Sequence, residues 1–426
     1  MHRTTSSRRS FLGPRHLTPR GKSLARVALA AALVGAACDD TNVETTPPDV
    51  PLPPLDPALV AQGQDIFRFS TFGDETFWTD TLQMNTVIQS AVDPMTALAV
   101  GLKVDAAALP AAVVAGIKDR SISLTDPATT VALLKLNAVV GVAGTVENVG
   151  GKDTLTRVGI TCAICHSTVD DSFAKGIGAR LDGWANTDLN PGAIIALSPA
   201  LPETTKAVYA SWGPGKYDPR FNQDGKNGPQ VIPPAYGLRG INRITVTGDG
   251  DQIAYWNRYV AVTQMGGHGT FTEPRTGVSV TNPPDDQVTA SLPALQEYQL
   301  SLTAPLPPAG SFDATAAARG RVVFEGAGRC AGCHGGPTFT DANTRLHDPS
   351  EVVSEPEPSG APSYASRTAT KKYRTAPLRG LWQHPPYFHN GSAPTVEAVI
   401  ETYDQRKALG LTTAQKSDLA QYLRSL

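Results

Sequence analysis

Two copies of one five-residue pattern constrain this chain more than anything else in it: "CAICH" at Cys162–His166 and "CAGCH" at Cys330–His334. Together they use four of its five cysteines. A disulfide framework would scatter cysteines, and a dithiol oxidoreductase needs one such pair in a thioredoxin-like setting. A zinc site built from both pairs would have to unite segments 168 residues apart. C-x-x-C followed at once by histidine is instead the attachment signature of c-type haem. Two thiols at that spacing reach the two vinyl groups of one porphyrin, and the next residue's imidazole is thereby held beneath the iron. The pattern predicts two covalently bound haems c: one on Cys162 and Cys165 with His166 as iron ligand, the other on Cys330 and Cys333 with His334.

Residues 1–37 carry seven Lys/Arg and no acid, and they close on the apolar run "VALAAALVGAA", Val27–Ala37. That is the build of a secretory signal peptide, too short for a mature membrane span. The expectation is an exported chain, either periplasmic or tied to a bacterial membrane by lipid on Cys38, the residue after the run. Gly35 stands where a lipoprotein box has a leucine-like residue, so ordinary cleavage is the alternative. Residues 38–56, rich in Pro, Thr and Asp without periodicity, read as a disordered tether. Losing the seven basic residues takes the chain from 37 basic against 39 acidic to 30 against 39, a net charge near −9. Nucleic acid is thereby excluded as a partner.

Around the second motif, "DATAAARGRVVFEGAGRCAGCH" offers Asp313 as an N-cap and an apolar stripe through Val322, Val323 and Phe324. The chain closes on "TTAQKSDLAQYLRSL", with Leu419, Tyr422, Leu423 and Leu426 forming another stripe. Helix, motif, loops and closing helix is an order that resembles a cytochrome c domain. The first half repeats it. Gly63-Gln64-Asp65-Ile66-Phe67 answers Gly320–Phe324, "YGLRG" (Tyr236–Gly240) answers "APLRG" (Ala376–Gly380), and "LQEYQLSL" ending at Leu302 answers "LAQYLRSL" ending at Leu426. Such landmarks in the same order predict an internal duplication with unequal insertions. The expected architecture is mainly α, with two tandem cytochrome c-like domains and long irregular loops. The first spans 57–302 with a helical insertion at about 68–161, a Pro-rich linker follows at 303–310, and the second spans 311–426.

The run "YRTAPLRGLWQHPPYFHNGSAPTVEAVIETYD", Tyr373–Asp404, resembles the haem-edge loop of the bacterial di-haem cytochrome c peroxidases, the methylamine-dehydrogenase-maturing di-haem enzymes and the di-haem rubber oxygenases. The likeness is specific over residues 313–426 and looser over 57–302. "FRFSTFGDETFWTDTLQ", Phe67–Gln83, looks closer to the oxygenase branch, although this chain is much shorter than a rubber oxygenase and that substrate does not carry over. Beyond Met1 the methionines are Met84, Met95 and Met265, none of them after Cys330, so the second iron has no methionine ligand from its own half. The resemblance implies His389 as its distal ligand. Tyr403, fourteen residues later, is the rival, since it falls where the peroxidases have a methionine and the maturing enzymes a tyrosine. His347 and His384 read as exposed or hydrogen-bonded loop residues.

The first haem looks different. Superposing the two "LRG" landmarks sets Asp249 opposite His389, and a carboxylate is a poor ligand there. Met265 and His268, in "QMGGHG", are the alternatives within that half; otherwise the first iron is open or water-bearing. An iron with a vacant position binds O₂ or peroxide, whereas a six-coordinate iron mostly exchanges electrons. The chain therefore reads as an electron-transfer protein whose first haem activates an oxidant, peroxidase- or oxygenase-like, while the second supplies electrons. Its partners would be a redox protein or a small-molecule oxidant, with membrane contact only through Cys38. Trp256, in "IAYWNRY", looks like the peroxidases' tryptophan between the haems, and Trp382 is a second relay candidate; packing is the ordinary role of both. Asp249 and Asp251 are the acid–base candidates against the plain reading of a Gly-Asp-Gly turn. Calcium, bound there or in "NQDGKNG" (Asn222–Gly228), is the remaining cofactor expectation. The opposing reading is a pure carrier with two saturated haems and no substrate of its own.

Overall fold

Four helices begin on the same two-residue device. Asp56-Pro57, Asp93-Pro94, Asp126-Pro127 and Asn190-Pro191 each place a side-chain oxygen over free backbone N–H groups of the first turn. The proline that follows has no N–H to satisfy and a φ already suited to a helix. This computed structural model describes residues 52–250, 252–282, 285–353 and 363–426. The signal segment, Cys38 and Asp251 lie outside the described residues.

The described chain is mainly helical, with five two-stranded sheets. The insertion is helical at first, through Met84–Ala91, Pro94–Ala99, Ala111–Lys118 and Pro127–Lys135. It then departs from the helical expectation and ends in an antiparallel hairpin, Val142–Val149 paired with Lys152–Ile160. Gly150 and Gly151, both at positive φ, make the turn. Val131, Leu133, Leu134, Leu155 and Val158 pack in one core with Ile177, Ile195, Tyr209 and Trp212 from beyond the insertion, and the returning strand leads directly into the first motif.

The repeated landmarks make repeated contacts. Helix Pro57–Phe69 crosses helix Leu292–Ser301 at Gly63, where a Cβ would lie 1.9 Å from the Ala294 carbonyl oxygen. Helix Ala314–Glu325 crosses helix Thr413–Arg424 at Gly320, where a Cβ would lie 2.0 Å from the Asp418 oxygen. Only glycine admits so close an approach. Beside each crossing a phenylalanine meets a tyrosine edge-on: Phe67 with Tyr298 at 5.4 Å and Phe324 with Tyr422 at 5.2 Å. Asp313 caps its helix as expected, accepting from the Thr315 and Ala316 N–H groups. Val322 does not join the stripe; it is 70% exposed, while Val323 and Phe324 are buried.

Buried ion pairs connect residues far apart in sequence. Arg367 reaches Asp218 at 3.0 Å and Asp224 at 2.7 Å, and Arg220 pairs with Asp249. The Thr370 N–H also donates to Asp249.

Candidate functional site

Each motif follows an abrupt change of backbone direction. The first follows the strand Lys152–Ile160 and makes one helical turn, Ala163–His166. The second follows Arg329, held at a φ of 52°, and makes a 3₁₀ turn over Cys330–Gly332. All six motif residues line one cavity of about 880 Å³ whose other walls are largely aliphatic and aromatic.

The histidines are already oriented. His166 Nδ1 lies 3.0 Å from the Pro233 carbonyl oxygen and His334 Nδ1 lies 3.1 Å from that of Phe339. A carbonyl can only accept, so in each ring Nδ1 carries the proton and Nε2 keeps its lone pair for a metal. Burial pushes His166 down to about 4 and lowers His334 as well, which keeps both rings neutral. The four thiols form no disulfide, and burial pushes Cys162 and Cys165 up to about 12 and Cys330 to about 11. A redox dithiol needs a lowered thiol pKa, so this setting argues against that alternative. Zinc shared by the two pairs fits no better: among the described residues the one cluster with metal-ligand spacing, Cys333, Asp341 and His347, takes a single cysteine from one motif and none from the other. An apolar cavity, paired thiols at its wall and an imidazole presenting Nε2 are what covalently held haem requires.

The cavity also gathers His347, His384, His389 and Tyr403 from the second half. His389 is held through its backbone oxygen, which accepts from Val231 N at 2.9 Å, and its ring lies 4.8 Å from that of Tyr373. Burial, then the neighbouring Cys330 and Cys333, push the Tyr403 phenol up. His347 sits between carboxylates, with Nε2 3.0 Å from Asp341 and Nδ1 3.2 Å from Glu351. His384 lines the cavity and burial pushes it down to about 4, contrary to the expectation of an ordinary loop residue. The Pro385-Pro386 pair after it was the only sequence sign of a fixed backbone there.

From the first half, helix Ile253–Val260 and the π-helical turn Ala261–Met265 supply Trp256, Asn257, Gln264 and Met265 to the wall. Such wide turns recur at functional sites, because they rotate successive side chains onto one face. Trp256 stacks on Tyr259 at 4.8 Å. Tyr217, unremarked in the sequence, donates to Gln264 Oε1 at 2.8 Å, and Asn257 donates to Gln299 Oε1 at 2.6 Å. His268 is not brought to the cavity; its Nδ1 lies 2.8 Å from Asp285. Asp249 is not there either, since its carboxylate is engaged by Arg220 and Thr247. In the candidate calcium loop the Asp224 carboxylate is engaged by Arg367. Trp382 meets Trp184 edge-on at 5.6 Å, joining the loop after the first motif to the 380s loop.

Comparison with known proteins fits this geometry. A family model described as RoxA-like, cytochrome c-like, matches residues 372–409, the segment bearing His384, His389 and Tyr403. A cytochrome c peroxidase, IdrP2, of Denitromonas iodatirespirans is 29% identical over 140 residues, covering 25% of this chain and 38% of that protein. The methylamine utilization protein MauG of Methylorubrum extorquens is 30% identical over 155 residues, covering 33% of this chain and 43% of that protein. The matches thus span less than half the length of these relatives. A solved MauG-like protein associated with microbial copper homeostasis is 17% identical, covering 46% of this chain and 73% of that one, with a TM-score of 0.32, too loose to bear on the fold. The paired motifs, the cavity they share and these relatives make the chain similar to the bacterial di-haem cytochromes c.

Proposed function

We propose that this chain is an exported electron-transfer protein built as two tandem cytochrome c-like domains. Its two haems are held by Cys162, Cys165 and His166, and by Cys330, Cys333 and His334. Bound there, the first haem would be placed to activate a small oxidant and the second to supply electrons. The observation that carries the reading is the unequal distribution of ligand-capable side chains along one cavity. The second half contributes His347, His384, His389 and Tyr403, while the first half contributes no histidine besides His166, only Met84 and Met265 with amides and the phenols of Tyr217 and Tyr236. Haem supplies the redox change and, where a coordination position is open, the oxidant-binding site.

The chain's own groups set the rest. Tyr217, Gln264 and Asn257 can orient a polar diatomic or peroxide molecule by hydrogen bonds, and the aliphatic wall excludes water. Among the described residues Glu351 is the one carboxylate lining the cavity, and it contacts His347 of the second half. The first-haem side therefore lacks the carboxylate acid–base that cleavage of an O–O bond by proton transfer would use. This favours an oxidant that binds and is activated without such a group, as O₂ does. Trp256, on the cavity wall, is the proposed electron relay.

Absorption and EPR spectra of the ferric protein, with and without peroxide, and of the ferrous protein with CO, test the assignment. One high-spin centre that responds to these ligands supports it. Two low-spin centres indifferent to both would leave a pure electron carrier.

A further inference from the structure

Arg374 is a cation without an anion. Its guanidinium lines the cavity, Nη1 donates to the Arg243 carbonyl oxygen at 2.9 Å, and Nε is buried with no hydrogen-bond partner. Burial alone pushes it down to about 10, and no acidic group offsets that. The other deeply buried arginines are all paired: Arg180 with Asp105, Arg220 with Asp249, and Arg367 with Asp218 and Asp224. A buried charge costs several kcal/mol unless an opposite charge and hydrogen bonds compensate it, so a folded protein seldom leaves one bare. At Arg374 the compensating anion has to come from whatever fills the cavity.

The position says which group that is. Arg374 is fixed on both sides: its own N–H donates to the Val246 oxygen at 2.8 Å, and the next residue, Thr375, lies 2.9 Å from His347 Nε2. The Thr375 carbonyl oxygen accepts from Thr340, six residues after His334, at 2.6 Å, and Ala376 lines the cavity with His334. The guanidinium is thus held rigidly beside the second motif. Its fork of N–H groups suits a carboxylate, and a haem brings two propionates.

We propose that Arg374 is a positioning residue that pairs with a propionate of the haem held by His334 and raises that haem's reduction potential. This rests on the di-haem reading above. A fixed positive charge near the iron disfavours the ferric state, which bears one more positive charge than the ferrous.

The test uses the full chain, matured in a host that attaches haem c, as wild type, Arg374→Gln and Arg374→Lys. Mass spectrometry first counts haems, and wild type lacking them would sink the di-haem reading itself. With two haems attached in every variant, potentiometric titration followed by absorption should show one haem shifted to lower potential in Arg374→Gln. It should show that haem largely restored in Arg374→Lys and the other unmoved. Resonance Raman propionate bending bands should shift for the same haem. Unchanged potentials and unchanged propionate bands in Arg374→Gln would overturn the proposal. So would equal shifts of both haems without rescue by lysine, since a merely structural role predicts that pattern.

Discussion

His389 and Tyr403 are the two proposed distal ligands of one iron, and their chemistry separates them. Imidazole ligates in its neutral form, whereas a phenol ligates after losing its proton, and burial beside Cys330 and Cys333 holds that proton on Tyr403. His389→Ala is therefore expected to convert one low-spin EPR signal to high spin, while Tyr403→Phe leaves it in place; the opposite result makes Tyr403 the ligand. At this scale the sequence was legible where chemistry is encoded in spacing. The six motif residues, read from their spacing, all line the cavity, as does His389, which the resemblance implied. It was not legible where burial and partners decide a role. Asp249 read as an acid–base candidate, but its partner Arg220 lies 29 residues away and removes it from the cavity. Tyr217 belongs to no motif, and Arg374, although inside the run Tyr373–Asp404, shows nothing in the one-dimensional pattern of its burial or its missing partner.

Among the elements, the two glycine crossings are where the duplicated order acquires a physical cause. Gly63→Ala and Gly320→Ala each force a methyl group against a facing carbonyl, and the paired helices must separate. Each is expected to cost about 1–3 kcal/mol, read as a lowered denaturant midpoint with the haem spectrum retained. The hairpin Gly269–Glu273/Val278–Asn282 carries a pH dependence. Glu273 accepts from Arg275 and from Tyr255, and the Arg275 hydrogen bonds are the main reason its carboxyl is held at about 2, below the ordinary 4.5. A folded-state pKa depressed in this way contributes stability that is complete above pH 4.5 and is lost as pH falls toward 2. Thermal melts of Glu273→Gln should be lower than wild type at pH 6 and converge on it at pH 2–3. Helix starts were readable here because capping is local. The hairpin that ends the insertion was not, since its pairing is set by contacts with Asp74, Thr79 and Asn85 on the preceding segment.

Across the whole molecule, the residues from Leu52 to Leu426 group as one compact unit, and among the described residues no helix is long and apolar enough to cross a membrane. The Asp218–Arg367–Asp224 cluster ties the first half to the second through charge that is fully buried at Asp218 and nearly so at Arg367. Replacing Arg367 with leucine strands two carboxylates, one of them entirely buried. A loss of about 3–5 kcal/mol in urea unfolding is expected, larger than for loss of an exposed pair such as Arg321–Glu325. The sequence by itself pointed to the proposed covalent chemistry, because C-x-x-C-H spacing is a local geometric demand that a porphyrin makes on five consecutive residues. It also determined the repeated helix order, because glycine, cap and apolar stripe act within a few turns. Only the tertiary structure decided that both motifs open onto one cavity and which histidines reach it. It alone decided that one buried arginine lines that cavity without a counter-charge, since burial and electrostatic pairing are properties of distance in space.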